Sequence, residues 1–91
     1  MFKPVLSSQV ENILIKLSKK DKKLVLELNK KIKQICMFDS ELIEHYKNLR
    51  NDFSNYKRVH IGRSFVLLFH VDFKFEKIYF YKFDHHDKIY K

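Results

Sequence analysis

The stretch FVLLFHV, residues 65–71, most narrows what this chain can fold into. On an extended backbone Phe65, Leu67 and Phe69 point to one side, and Val66 and Leu68 to the other. A strand that is apolar on both faces belongs at the centre of a sheet, with a neighbour on each side. The sequence supplies two neighbours. YKRVHIG before it and KIYFYKFDHHDKIYK after it are rich in the β-branched and aromatic residues that strands favour. The breaks, at Gly62, Arg63 and Ser64 and over residues 72–76, are short enough for antiparallel hairpins.

The first part of the chain has a different period. FKPVL, residues 2–6, is a short apolar stretch whose Pro4 restricts it to an edge strand or an irregular lead-in. Ser8 precedes Glu11 at capping-box spacing, and Val10, Ile13, Leu14 and Leu17 then form one helical stripe. KKDKK is a polar turn, with Ser18 and Asp21 repeating the capping spacing. A second stripe follows at Val25, Leu28, Ile32, Ile35 and Cys36. Two helices joined so briefly form an α-hairpin, and the sheet is the surface available for their stripes to cover. Asp39 and Ser40 suit the cap of a third, short helix over residues 41–46. The expectation is a single α+β domain over residues 1–91, an N-terminal helical hairpin packed on a small antiparallel β-sheet. Val10, Leu14, Leu17, Leu28, Ile32, Phe65, Leu67, Phe69 and Phe80 should be largely buried.

Composition bounds the function. The chain has 91 residues, enough for one modest core, and 45% are hydrophobic, too many for a disordered segment. No apolar run is long enough to cross a bilayer and no signal peptide is evident, so no membrane role is expected. The single cysteine, Cys36, excludes an internal disulfide, fits a reducing cytoplasm and sits in a helical stripe as a small core residue. Lys and Arg total 19 against 11 Asp and Glu, a net charge of +8 that favours an anionic partner. The lysines of the second helix fall mostly off its stripe, as on a solvated face, although together they could skirt RNA.

Alternation places Tyr56, Arg58 and His60 on one face of the first hairpin strand and Lys57, Val59 and Ile61 on the other. In the last strand it groups Tyr79, Tyr81, Phe83 and His85, opposite Ile78, Phe80, Lys82 and Asp84. A sheet face carrying cations, imidazoles and tyrosines suits RNA, with Arg and Lys for phosphate, aromatic rings for stacking and His for proton transfer. His70 alternates with apolar neighbours and reads as structural. His85, His86 and Asp87 look like metal ligands, but no second cluster has zinc spacing, so neither metal nor other cofactor is expected. There is no glycine-rich phosphate loop and no suggestive Ser-His-Asp order.

HYKNLRNDFSNYKRVHIGRSFVLLFHVD, followed by YFYKFDHHDKIYK, resembles the RelE/ParE superfamily of type II toxin–antitoxin toxins, nearest the YafQ-like and RelE mRNA interferase branch. His45, His60 and His86 with Tyr90 stand where that branch carries its histidines and terminal aromatic. Ser64 replaces the branch's acidic residue, and Val66 lies where RelE has an arginine. The resemblance implies a cytoplasmic, ribosome-dependent mRNA endoribonuclease that cuts without a metal. An imidazole, with an ordinary pKa of ~6.5, would take the 2′-OH proton while another group protonates the leaving oxygen. His60, His86, Tyr90 and His45 are the implied catalytic residues. Lys57, Arg58, Arg63, Lys82 and His85 would contact the RNA phosphates. The implied partners are the ribosome, mRNA and a cognate antitoxin, a small acidic protein. A ParE-like toxin gripping DNA gyrase, or a plain RNA-binding domain, are the alternatives.

Overall fold

The computed structural model describes residues 1–38 and 56–89. The expected helix over residues 41–46 lies outside them, as do His45 and Tyr90. The element order is β1 (Lys3–Leu6), α1 (Ser8–Lys20), α2 (Lys22–Met37), β2 (Lys57–Ile61), β3 (Phe65–Asp72), β4 (Lys77–His85) and α3 (His86–Ile89).

Each helix starts on a side-chain cap. Ser7, one residue before the position the sequence suggested, accepts the Val10 N–H through its Oγ at 3.2 Å. Asp21 serves both helices. Its own N–H closes α1 on the Leu17 carbonyl at 2.7 Å, while its carboxylate accepts the Leu24 N–H at 3.1 Å and opens α2. One residue therefore makes the corner of the α-hairpin, satisfying orphan groups at two helix ends. Lys19 and Lys20 sit in the last turn of α1, where the helix dipole favours cations.

The sheet has the order β1-β4-β3-β2. Both hairpins are antiparallel, and β3 lies between β2 and β4 as its two apolar faces require. The expected edge segment at the N-terminus becomes β1, pairing with β4 in parallel and making the sheet mixed. Pro4 is tolerated because β1 is an edge strand. Gly62, in the β2–β3 turn, has φ +64°, where a side chain would be strained.

The helices cover one face. Leu24, Leu28, Ile32 and Ile35 of α2 and Val10 of α1 pack on Ile61, Leu67, Phe69, Val71, Ile78, Phe80 and Phe83. Leu14, Leu17 and Phe65 are only half-buried at the margin of this core. On the opposite face Val66 and Leu68 are buried, with Ile89 of α3 packed against them. The polar end expected to continue the last strand is thus partly a helical turn that brings an apolar residue back onto β3.

Pairing is not uniform along β4. Leu68 faces Lys82, yet Phe69 faces Phe80, so Tyr81 is an extra residue, a β-bulge. The bulge resets the alternation. Phe83 joins Phe80 on the helix-covered face, both fully buried, instead of sharing a face with Tyr79. Phe65 and Phe83 stack there with ring centroids 5.2 Å apart.

Where β1 ends, side chains take over its role. The Ser7 N–H donates to the Phe80 carbonyl at 3.0 Å, and the Ser7 hydroxyl to the Tyr81 carbonyl. The Gln9 side-chain amide then donates to the Phe83 carbonyl and accepts the Phe83 N–H, each at 3.0 Å. Gln9 copies the two hydrogen bonds of a strand neighbour and closes an open stretch of sheet edge.

Replacing Gln9 by Ala leaves both Phe83 backbone groups without this partner. At about 1 kcal/mol per hydrogen bond, the variant should lose roughly 1–2 kcal/mol in urea unfolding. A midpoint unchanged at constant slope would show that the edge does not depend on Gln9.

Burial pushes the Cys36 thiol up from 9.0 to about 11. The folded value exceeds the unfolded one, so the stability this thiol contributes is complete below pH 9 and is lost as the pH rises through about 11. Urea unfolding of the wild type should therefore weaken more over this range than that of Cys36→Ala. Parallel pH curves for the two proteins would contradict the assignment. The native thiol should also react slowly with disulfide reagents at neutral pH.

Candidate active site at the hairpin end of the sheet

The register fixes which side chains share the face turned away from the α-hairpin. Arg58 pairs with Leu68, and Leu68 with Lys82. His60 pairs with Val66, and Val66 with Asp84. Two rows thus cross the sheet, each with a buried aliphatic residue of β3 at its centre. At ~4.8 Å per strand, Arg58 and Lys82 flank Leu68 with backbones about 10 Å apart. His60 and Asp84 flank Val66 in the same way.

The β2–β3 turn closes this end of the sheet. Arg63 is exposed at its tip. The carbonyl of Ser64 accepts the His86 N–H at 2.7 Å, which ties the start of α3 to the turn. His60, Arg63, Ser64, His85 and His86 are therefore gathered at one end of the molecule. His60 and His86 are both exposed, on opposite sides of β3.

Asp87 links the two histidines of this corner. Its carboxylate lies 3.0 Å from His86 Nδ1 and 3.5 Å from His85 Nδ1. The His85 ring packs edge-on against Phe65 with centroids 5.8 Å apart, so its body is held while one edge reaches water.

Two clefts flank the turn. One, of about 450 Å³, runs between α2 and the end of β2, lined by Glu27, Lys30, Lys31, Gln34, His60, Ile61 and Gly62. The other, about 330 Å³, is lined by Lys23, Glu27, Arg63, Ser64 and Phe65 among others. Lys30 and Lys31, which read from the sequence as a solvated helix face, are in fact neighbours of His60. Their off-stripe positions gave no sign of it, because the cleft exists only once α2 packs beside β2.

Not every expected residue joins the site. Lys57 pairs with Phe69 and so belongs with Val59 and Ile61 on the helix side of the sheet, away from Arg58 and His60. His85 pairs with Phe65, again on the helix side, rather than sharing a face with Tyr79 and Tyr81. The tyrosines themselves collect at the other end of the open face. Tyr56 stacks on Tyr81 with centroids 4.9 Å apart, and His70 lies against Tyr56 and Tyr79. With Val5, Leu6, Ser7 and Phe80 these residues line a separate cleft of about 290 Å³. His70 thus sits among aromatic rings, consistent with a structural role.

Among the described residues no helix is long and apolar enough to cross a membrane.

No protein-family model matches the chain. A curated protein of Methanocaldococcus jannaschii named "Putative toxin RelE4" is 44% identical over 91 residues, covering all of this chain and 93% of its own. In three dimensions the chain is similar to YafQ from E. coli, with TM-score 0.75 at 15% identity over the full length of both. The YoeB-YefM complex from Staphylococcus aureus contains a chain with TM-score 0.74 at 19% identity, over 94% of this chain and 98% of that one. These two likenesses extend to the whole fold, helical hairpin and sheet together. At 44% identity over the entire chain, the sequence relationship establishes the family: the protein belongs to the RelE family of toxins of toxin–antitoxin systems.

Proposed function

We propose that this toxin is a ribosome-dependent mRNA endoribonuclease that works by acid–base catalysis without a metal ion. The observation carrying this reading is the gathering of His60, His86, Arg58, Arg63 and Lys82 around the hairpin end of the sheet, beside the α2 lysines. Imidazoles on either side of β3 suit the two proton transfers of RNA cleavage. One removes the proton of the 2′-OH as it attacks the adjacent phosphorus. The other protonates the 5′-oxygen as it leaves, giving a 2′,3′-cyclic phosphate and a free 5′-hydroxyl. Arg58, Arg63 and Lys82 offset the negative charge that grows on the phosphoryl oxygens. Lys30 and Lys31 extend the positive surface along the α2 cleft for the RNA backbone. His45 and Tyr90 retain the roles the family resemblance implies, Tyr90 stacking a base or donating its hydroxyl. The ribosome supplies the mRNA in register, so positioning carries much of the rate. The charge of the chain also supports an acidic antitoxin. The S. aureus YoeB-YefM relative and RelBE2 of Mycobacterium tuberculosis are toxin–antitoxin complexes on the same fold.

His60→Ala and His86→Ala should each slow mRNA cleavage on purified ribosomes by ~10²–10⁴-fold while far-UV CD and the melting temperature stay close to wild type. Wild-type cleavage by both variants would exclude the acid–base assignment and favour a toxin that acts by binding alone.

Co-expression with a small acidic protein from an adjacent reading frame should yield a stable complex and restore growth. Its association rate should fall steeply as salt is raised. Failure of every adjacent frame to bind, with harmless expression of this chain alone, would contradict the toxin's proposed partnership and action.

A further inference from the structure

We propose that His85, His86 and Asp87 form a binding site for a divalent first-row transition ion of the Zn²⁺ class, which takes up the lone pair of His86 and so opposes, rather than assists, the metal-free proton transfer proposed above. Three consecutive residues of an extended strand cannot converge, because alternate side chains point to opposite faces. Here the strand ends at His85 and a helical turn begins at His86. That change of backbone turns all three side chains toward one point, and one donor atom from each lies within 4.8 Å of the others.

The separations fit a small ion. Asp87 Oδ1 is 3.0 Å from His86 Nδ1, and Asp87 Oδ2 is 3.5 Å from His85 Nδ1. Donors bound tetrahedrally at ~2.0–2.2 Å lie about 3.3 Å from one another, so these two separations already suit an ion, and donors standing as far apart as 4.8 Å must draw together by side-chain rotation. Two imidazoles and one carboxylate suit Zn²⁺, Ni²⁺ or Cu²⁺, whereas Mg²⁺ and Ca²⁺ favour oxygen donors throughout. The Asp87 N–H donates to His85 Nδ1 at 3.4 Å, a long hydrogen bond that an ion on this nitrogen would replace.

The site is braced from outside the trio. The His86 N–H is held by the Ser64 carbonyl at 2.7 Å, and the His85 ring rests on Phe65. The three side chains are 41%, 50% and 67% exposed, so an ion enters without any opening of the fold and keeps coordination positions for water. The net charge of +8 opposes a cation at long range, so affinity rests on these local donors.

Titration of the metal-free, full-length protein with ZnSO₄ by isothermal calorimetry tests the site, with histidine ring resonances followed by NMR. One Zn²⁺ per chain is expected, with the His85 and His86 ring signals shifting together and that of His70 unmoved. Asp87→Asn should weaken binding ~10-fold or more, and the double substitution His85→Gln, His86→Gln should abolish it. All three side chains are at least 41% exposed, so both variants should keep the wild-type CD spectrum and melting curve. No binding up to about 1 mM Zn²⁺, or binding unaltered in the double variant, would overturn the site.

Discussion

Burial of β3 on both faces is the constraint from which the rest of the architecture follows. Phe69 and Leu67 face the helices while Val66 and Leu68 face the other way, and all four are almost fully removed from water. Each such side chain contributes about 1.5–3 kcal/mol when buried, and the same chain exposed on an open sheet face would invite association. The α-hairpin meets the first demand. Ile89, on the short α3, helps to meet the second, and in doing so brings His86 against the β2–β3 turn. The packing of an apolar strand and the position of an imidazole are thus consequences of the same backbone turn.

Edges are the second concern of so small a sheet. β1 gives β4 a parallel neighbour for four residues, and then the chain must leave to start α1. Ser7 and Gln9 continue the hydrogen bonding from the first turn of that helix. The bulge at Tyr81 falls in this stretch and lets Phe80 and Phe83 both enter the core. A proline in β1, a serine cap, a glutamine in the helix and an extra residue in β4 together finish one side of the sheet.

Much of this was legible in the sequence, and the parts that were not have physical reasons. FVLLFHV announced the central strand because no other placement hides both faces. Leu28, Ile32 and Ile35 announced α2 by their spacing. The bulge left no mark, since Tyr79 to His85 alternates plausibly in either register and only the pairing with β3 reveals the extra residue. Gln9 carries no local sign of its role, because Phe83, the residue whose backbone it pairs, is 74 positions away and meets it only in the fold. His60 and His86 were singled out from strand positions and family resemblance, and the fold brings them to the same end of the sheet. Alternation set Lys57 with Val59 and Ile61, as the register does, although the family resemblance counted it among the phosphate contacts. His85 was grouped with the tyrosines of the open face, yet the bulge places it on the helix side. Lys30 and Lys31 were missed as neighbours of His60 because that cleft is tertiary, made by α2 lying beside β2.

The central claim is that His60 and His86 act as a pair on one phosphate. Single-turnover mRNA cleavage on saturating ribosomes, measured for His60→Ala, His86→Ala and the combined variant, tests it most directly. Groups that act as a unit give strongly non-additive losses. The combined variant should therefore cleave about as slowly as the slower single variant, far faster than the product of the two separate losses would allow. Losses that multiply in the combined variant, as for two independent groups, would contradict the account.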